Sequence, residues 1–288
     1  MKRELTLLQQ AQIEKRRLQF TDRSKINSSM NMSEILELML PNYDQGIKSK
    51  AWHAKAQLHK GRKGGVRSGK TFSLEAEAIG LSYVNRPYLH LSMSPTFDLA
   101  VATVVDQVLM RHCDDNGLEY DWKKSSQLFR IIHGPKDHDI ANIYVFGADQ
   151  AFKGITAASG DINEPFSIAK SKFTLWWERI SDVRSRRLAR IWGGTAEPEN
   201  MEWGHEYFKE ETIETPEFYA DTITTYENEK YLPQGYVKEL EGKYDEKRRQ
   251  VYMLGKNLSL AGGTVYAKFD SQIHTIKQNS LDQIILNN

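Results

Sequence analysis

A single cysteine, Cys113, occurs in 288 residues. An internal disulfide is therefore excluded, and with no second cysteine or His/Cys cluster so is a four-ligand structural zinc site. Nowhere does an apolar run approach the roughly 20 residues needed to cross a bilayer. Mean hydropathy is −0.59, and membrane insertion is excluded. Residues 1–20 are charged at helical spacing and lack the apolar core of about 7–15 residues that a secretory signal requires. Charge of one sign is missing too: 39 Lys and Arg face 38 Asp and Glu, for a net charge of +1. No global basic field announces a nucleic-acid binder, so any grip on phosphates must come from local patches. Internal repeats and low-complexity tracts are absent. What is present, 40% hydrophobic residues, suffices for one substantial core plus an appendage, and the lone cysteine fits a reducing cytoplasm.

Hydrophobic periodicity divides the chain into a helical preface, residues 1–59, and a region of alternating strands and helices, 60–230. A helical linker, 231–262, and a last segment, 263–288, follow. In the preface, residues 3–20 carry Leu5, Leu8, Ile13 and Leu18 among charges, which predicts an amphipathic helix. A second helix is expected over 32–40, with Ser33 as its N-cap and Pro41 as its stop. From Lys60 onward short apolar runs alternate with helical segments, the pattern of an α/β fold in which a mostly parallel sheet is flanked by helices. A helix over 70–85, a strand over 88–93 and a long helix over 96–113 come first, the last offering Leu99, Val101, Val104, Val105 and Val108 to a sheet. Strands over 128–133 and 143–147 read as a hairpin. Further strands are expected over 155–162, 188–192 and 218–225, with helices around 173–180 and over 234–244.

The segment Gly64-Gly65-Val66-Arg67-Ser68-Gly69-Lys70-Thr71 fits G-x-x-x-x-G-K-S/T, the phosphate-binding loop of P-loop NTPases. Glycine at 64 and 69 permits backbone dihedrals closed to other residues, so consecutive amides can point inward at phosphate oxygens. The helix that begins at Lys70 adds its positive dipole end. Lys70 would reach the β and γ phosphates of ATP, and the Thr71 hydroxyl would coordinate Mg²⁺. The run before the loop is polar, which makes a poor strand by composition.

Such a loop needs a second, acidic site to hold Mg²⁺ and orient water. Two segments compete. Residues 159–164, SGDINE, end in an acidic pair, and residues 173–178, FTLWWE, end in the lone carboxylate of Glu178. The first is preferred, with Glu164 as general base and Asn163 in the place of the usual metal-binding aspartate. Asp161, two residues earlier on the same strand face, is expected to supply the charge that Asn163 lacks.

Taken in order, GGVRSGKT, GADQAFKGITAASGDINEPF, RIWGGTAEPENMEWGHEYF and YMLGKNLSLAGGTVYAKF resemble the large terminase subunit of tailed bacteriophages over about residues 60–270. Lys153-Gly154-Ile155-Thr156 followed by Glu164 is the most specific part, because generic P-loop ATPases lack it. The resemblance implies ATP hydrolysis with Mg²⁺, coupled to packaging of double-stranded DNA. The expected partners are a portal protein, a procapsid and a small terminase subunit, in a homo-oligomeric ring docked on the procapsid in the host cell cytoplasm. By position it makes Arg67 a γ-phosphate sensor, Thr195 a coupling residue and an upstream glutamine, Gln45 or Gln57, the adenine contact. The usual Asn-Pro after the coupling residue reads Glu197-Pro198 here. A nuclease half is expected to open near the GTVYAKF element, and Asp270 alone cannot hold its two metals, so the chain is expected to be ATPase-competent and nuclease-deficient.

Residues 184–190, RSRRLAR, are the densest basic stretch of the core. They suit DNA phosphates or a neighbouring subunit's ATP, and equally a solvated helix end; Lys247, Arg248 and Arg249 form a weaker cluster. Two other functions stay open at this point: a different P-loop motor such as a helicase, and a nucleotide-binding scaffold that no longer hydrolyses ATP.

Overall fold

The computed structural model describes residues 23, 25–27, 29–195, 203–207 and 211–258. The helix expected over 3–20, the Glu197-Pro198 turn, Asp270 and the segment 263–288 lie outside the described residues.

Helix α1 (Met32–Met39) starts at Asn31, whose side chain accepts from Glu34 N at 3.0 Å while Glu34 Oε2 accepts from Asn31 N at 2.7 Å. This reciprocal box satisfies two otherwise orphaned donors. The cap is therefore Asn31 and not Ser33, which is buried inside the helix and donates its hydroxyl to Gln45 Oε1 at 2.9 Å. Helix α2 (Gly46–Ala54) follows. Helix α1 packs on α2 and on α3 (Lys70–Asn85), and Gly80 permits its close approach to α3: a Cβ there would sit 2.5 Å from Met32 Sδ.

Nine strands among the described residues form one sheet: β1 (His59–Gly64), β2 (Leu89–Ser94), β3 (Glu119–Lys123), β4 (Leu128–Ile132), β5 (Ile140–Gly147), β6 (Ser159–Asn163), β7 (Ala189–Thr195), β8 (Ile213–Glu214) and β9 (Phe218–Ile223). Their order is β3-β4-β5-β2-β6-β7-β1-β9-β8. From β5 to β9 neighbouring strands run parallel, and β3, β4 and β8 are antiparallel additions at the two edges. The expected hairpin is β4–β5, with Phe129 opposite Ile143. Strand β3 was not foreseen; only Tyr120 and Trp122 of its EYDWK sequence pack on the core, at the sheet's edge. Strand β6 begins at Ser159 rather than at 155, because the exposed turn at Gly154 takes φ +87° and the chain joins the sheet only after it.

Alternate residues face opposite layers, as the two-residue strand period requires. Ile143, Val145 and Ile191 face the layer of α1 and α3, whereas Phe146, Ile162 and Trp192 face an aromatic layer built on α5 (Lys170–Arg179). The long helix α4 comprises Phe97–Leu99, Ala100–Leu109 and Met110–Asp115, and its middle section is wound as a π-helix. Wider winding aligns Ala100, Val104, Val105 and Leu109, all fully buried, on one face. Leu99 was expected on that face and is instead 39% exposed. Helices α6 (Tyr236–Lys243) and α7 (Glu246–Tyr252) close the described chain.

Strand β1, HKGRKG, is buried between β7 and β9 despite its charges. Each side chain on its α2 face has a partner. Lys60 pairs with Glu77 and donates to Trp52 O at 3.3 Å. Arg62 grips Asp221 of β9 through Nε at 2.8 Å and Nη2 at 2.6 Å, and donates to Ser49 and Ser73 at 2.9 and 3.3 Å. Both cations lie over the Trp52 ring, at 4.5 and 4.8 Å from its centroid. Hydrogen bonds and π contact together make burial of charge tolerable.

Candidate functional site

Gly64, the last residue of β1, stands in register with Thr195 of β7 and Ile223 of β9, and Asn163 ends β6 opposite Gly193. The glycine loop, Asn163-Glu164 and Thr195 therefore meet at the carboxyl edge of the parallel strands, where ligands of open α/β sheets bind. A cavity of about 1810 Å³ opens there, lined by Val66 to Thr71 and by Gln45, Glu164 and Thr195.

The loop is tethered on its outer side. Gly65 N and Val66 N donate to Ile223 O and Tyr252 O at 3.1 and 2.6 Å, and Thr225 Oγ1 and Asn228 Nδ2 donate to Val66 O and Arg67 O at 2.7 Å each. These anchors hold Arg67 in left-handed backbone, φ +55°, and Gly69 turns the chain into α3 at φ +85°. Gly65 has no room for a side chain: an added Cβ would lie 2.4 Å from Met253 O. Lys70 is buried and donates to Gly64 O and Gly65 O at 3.2 and 2.7 Å. Burial pushes its ammonium pKa down, and the Glu164 carboxylate opposes that shift. The Ser68 hydroxyl is buried and has no hydrogen-bond partner among the described residues.

Opposite the loop, Thr71 Oγ1 donates to Asn163 Oδ1 at 3.0 Å, and Asn163 Nδ2 donates to Glu75 Oε1 at 2.7 Å. Glu164 leaves the strand in left-handed backbone, φ 53° and ψ 56°, which turns its carboxylate across to the end of β7. There Oε2 accepts from Thr195 N at 2.7 Å and Oε1 from Thr195 Oγ1 at 3.3 Å. Sequence motifs 31 residues apart thus touch directly.

Asp161 is not brought to the cavity. It lies deeper under β6, fully buried, with His90 Nε2 at 2.8 Å and Ser92 Oγ at 3.1 Å on its two oxygens. The alternation of the strand predicts which face Asp161 shares with Asn163, and says nothing of depth along it. Burial and the adjacent Asp161 carboxylate push the Glu75 carboxyl pKa well above its usual range. His90 holds the other side of Asp161.

Of the two candidate glutamines, Gln45 lines the cavity, whereas Gln57 bonds Glu214 and Thr215 O at 3.3 and 3.2 Å beside β8. Glu178 is exposed on α5 beside Arg179 and is no part of the cavity wall. The basic stretch 184–190 is a loop running into β7, not a helix end. Arg184 pairs with Asp182, Arg187 donates to Met30 O at 2.6 Å and Arg190 to Trp177 O at 3.0 Å, which leaves Arg186 exposed. Glu75, Thr225 and Asn228 were not foreseen. Glu75 and Glu77 inside the otherwise apolar run FSLEAEAIGL were the available signal, because a helix buried on all sides carries carboxylates only where partners wait; nothing in the sequence marked Thr225 or Asn228.

No family model and no curated protein matches the sequence. Solved structures do. The ATPase domain of the Thermus phage P74-26 large terminase has a TM-score of 0.59 at 16% identity, over 80% of this chain and 100% of that one. The fold is that of a large-terminase ATPase domain. The large terminase of a thermophilic bacteriophage, solved in complex with ADP, gives a TM-score of 0.58 at 17% identity over 86% of this chain. That of bacteriophage HK97 gives 0.55 at 11% identity over 80%. This chain spans 58% and 56% of the length of those two terminases.

Proposed function

We propose that the chain is the ATP-hydrolysing part of a DNA-packaging motor, a large terminase that drives viral double-stranded DNA into a procapsid. The observation that carries this is the convergence, in one cavity, of Lys70 and Thr71 with Glu164, whose carboxylate is clasped by Thr195. The donor set fits a magnesium triphosphate: loop amides and a buried ammonium on one side, a hydroxyl paired with an amide oxygen beside them, a carboxylate facing across. Bound Mg²⁺ would neutralise phosphate charge, with Thr71 and Asn163 as the residues that hold it.

Lys70 binds the β and γ phosphates, and Arg67 reaches the γ phosphate from within the loop. Glu164 orients water and accepts its proton. Gln45, held by Ser33 through two hydrogen bonds, offers the carboxamide for adenine. Thr195 binds the Glu164 carboxylate and ends β7, so a shift of that carboxylate passes directly into the sheet; this is the coupling step. Arg186, Lys247 and Arg248 are exposed cations available to the DNA backbone. A portal, a procapsid, a small terminase subunit and a ring of copies in the host cytoplasm complete the working state.

Phosphate release with ATP and Mg²⁺ tests this. Glu164→Gln removes the base and keeps the clasp's shape, so kcat should fall by about 10²–10⁴-fold with nucleotide binding retained. Equal rates in wild type and variant would reject Glu164 as the base, whereas nucleotide binding with no phosphate release from wild type would favour a non-hydrolysing nucleotide-binding protein.

A further inference from the structure

Asn163 occupies a position that calls for an oxygen ligand, and a carboxamide does not orient itself. Its oxygen and nitrogen ends have nearly the same shape and opposite polarity. With the nitrogen end toward Thr71, two N–H groups would point where a cation must sit. Something else has to choose the rotamer.

In the structure that choice falls to Glu75. Its Oε1 accepts from Asn163 Nδ2 at 2.7 Å, which turns Oδ1 to the Thr71 hydroxyl 3.0 Å away. Glu75 is fully buried on α3, the helix that also carries Lys70 and Thr71. The same rigid element therefore presents the phosphate-facing side chains and fixes the group across from them on β6. Asp161, held by His90 and Ser92, lies beneath Glu75 and limits its own freedom.

We propose that Glu75 is a positioning residue: it holds the Asn163 carboxamide with its oxygen toward Thr71 and thereby sets the site's grip on the divalent cation that accompanies the nucleotide. The inference rests on the nucleotide-site reading above. A purely structural role would weaken folding, or binding with and without the cation alike, whereas orientation of a ligand oxygen affects only the increment that the cation adds.

The test is equilibrium binding of a fluorescent ATP analogue to the full chain, in EDTA and in excess Mg²⁺, with thermal melting alongside. The ratio of the two Kd values is the Mg²⁺ increment. Glu75→Leu removes the acceptor and should cut that increment by about 10-fold or more, with the Kd in EDTA unchanged. Glu75→Gln keeps an acceptor for Asn163 Nδ2 and a donor toward Asp161, and should retain the increment within about twofold. An undiminished increment in folded Glu75→Leu overturns the proposal. Should that variant fail to melt cooperatively, two others decide: loss of the increment in Glu75→Gln, or its full retention in Asn163→Ala, overturns it equally. Wild type that binds no analogue under either condition rejects the nucleotide site itself and the role of Glu75 with it; wild-type binding with one ratio across all variants rejects the role alone.

Discussion

Glu164 sits in left-handed backbone, a conformation that a non-glycine residue keeps only where its surroundings enforce it. The enforcement is visible: Glu164 N donates to Gly193 O at 2.8 Å, and Thr195 holds both carboxylate oxygens. Gly194 lies between these contacts, and a Cβ there would fall 2.9 Å from Pro165 Cδ and 3.2 Å from Glu164 Oε2. Gly194→Ala should therefore displace the carboxylate without touching the phosphate loop. Steady-state phosphate release should show kcat lowered by about 10-fold or more, as for other misplaced catalytic groups, with KM little changed; an unchanged kcat would mean that the clasp does not position the base. That Lys70, Thr71 and Glu164 would line one cavity was legible because short motifs mark them, and Thr195 entered through the resemblance alone. Glu75 was not legible, since its meaning depends on Asn163, 88 positions away.

Among the elements, β1 shows where composition misleads. HKGRKG reads as a poor strand because propensity sees charges and not what receives them. Its partners come from α2, α3 and β9, at sequence separations from 8 residues (Lys60 to Trp52) to 159 (Arg62 to Asp221). The Arg62–Asp221 pair has only 1% and 7% of its side chains exposed. Removing one member leaves an uncompensated buried charge, so Arg62→Met should cost about 3–5 kcal/mol of stability. Adding Asp221→Leu should restore most of the loss, because a well-packed apolar pair can replace a buried ion pair. Urea unfolding of the single and double variants measures both; equal stability of Arg62→Met and wild type would show that the pair is not what seats β1. Strands β2, β4, β5, β7 and β9 were legible because apolar runs mark them. The π-wound turn of α4 was not: its register shifts to bury four residues that an ordinary helix would spread over a wider arc.

Across the whole molecule, a parallel sheet places β1, β6 and β7 side by side, so residues from three distant stretches reach one edge. The α/β class and the loop-helix passage followed from periodicity, and the terminase ATPase fold of the solved neighbours agrees with them. Depth within the sheet did not follow, which is why Asp161 reads as a metal ligand by parity and lies under the site in space. The central claim is that the loop of 64–71 and the Glu164 carboxylate serve one triphosphate. A crystal structure with a non-hydrolysable ATP analogue and Mg²⁺ tests it most directly. The expected result has the β and γ phosphates on the loop amides between Arg67 and Thr71 and on Lys70, the metal beside Thr71 and Asn163, and Glu164 facing the γ phosphate. An analogue seated in another cavity, or a γ phosphate with Glu164 turned away from it, would contradict the claim.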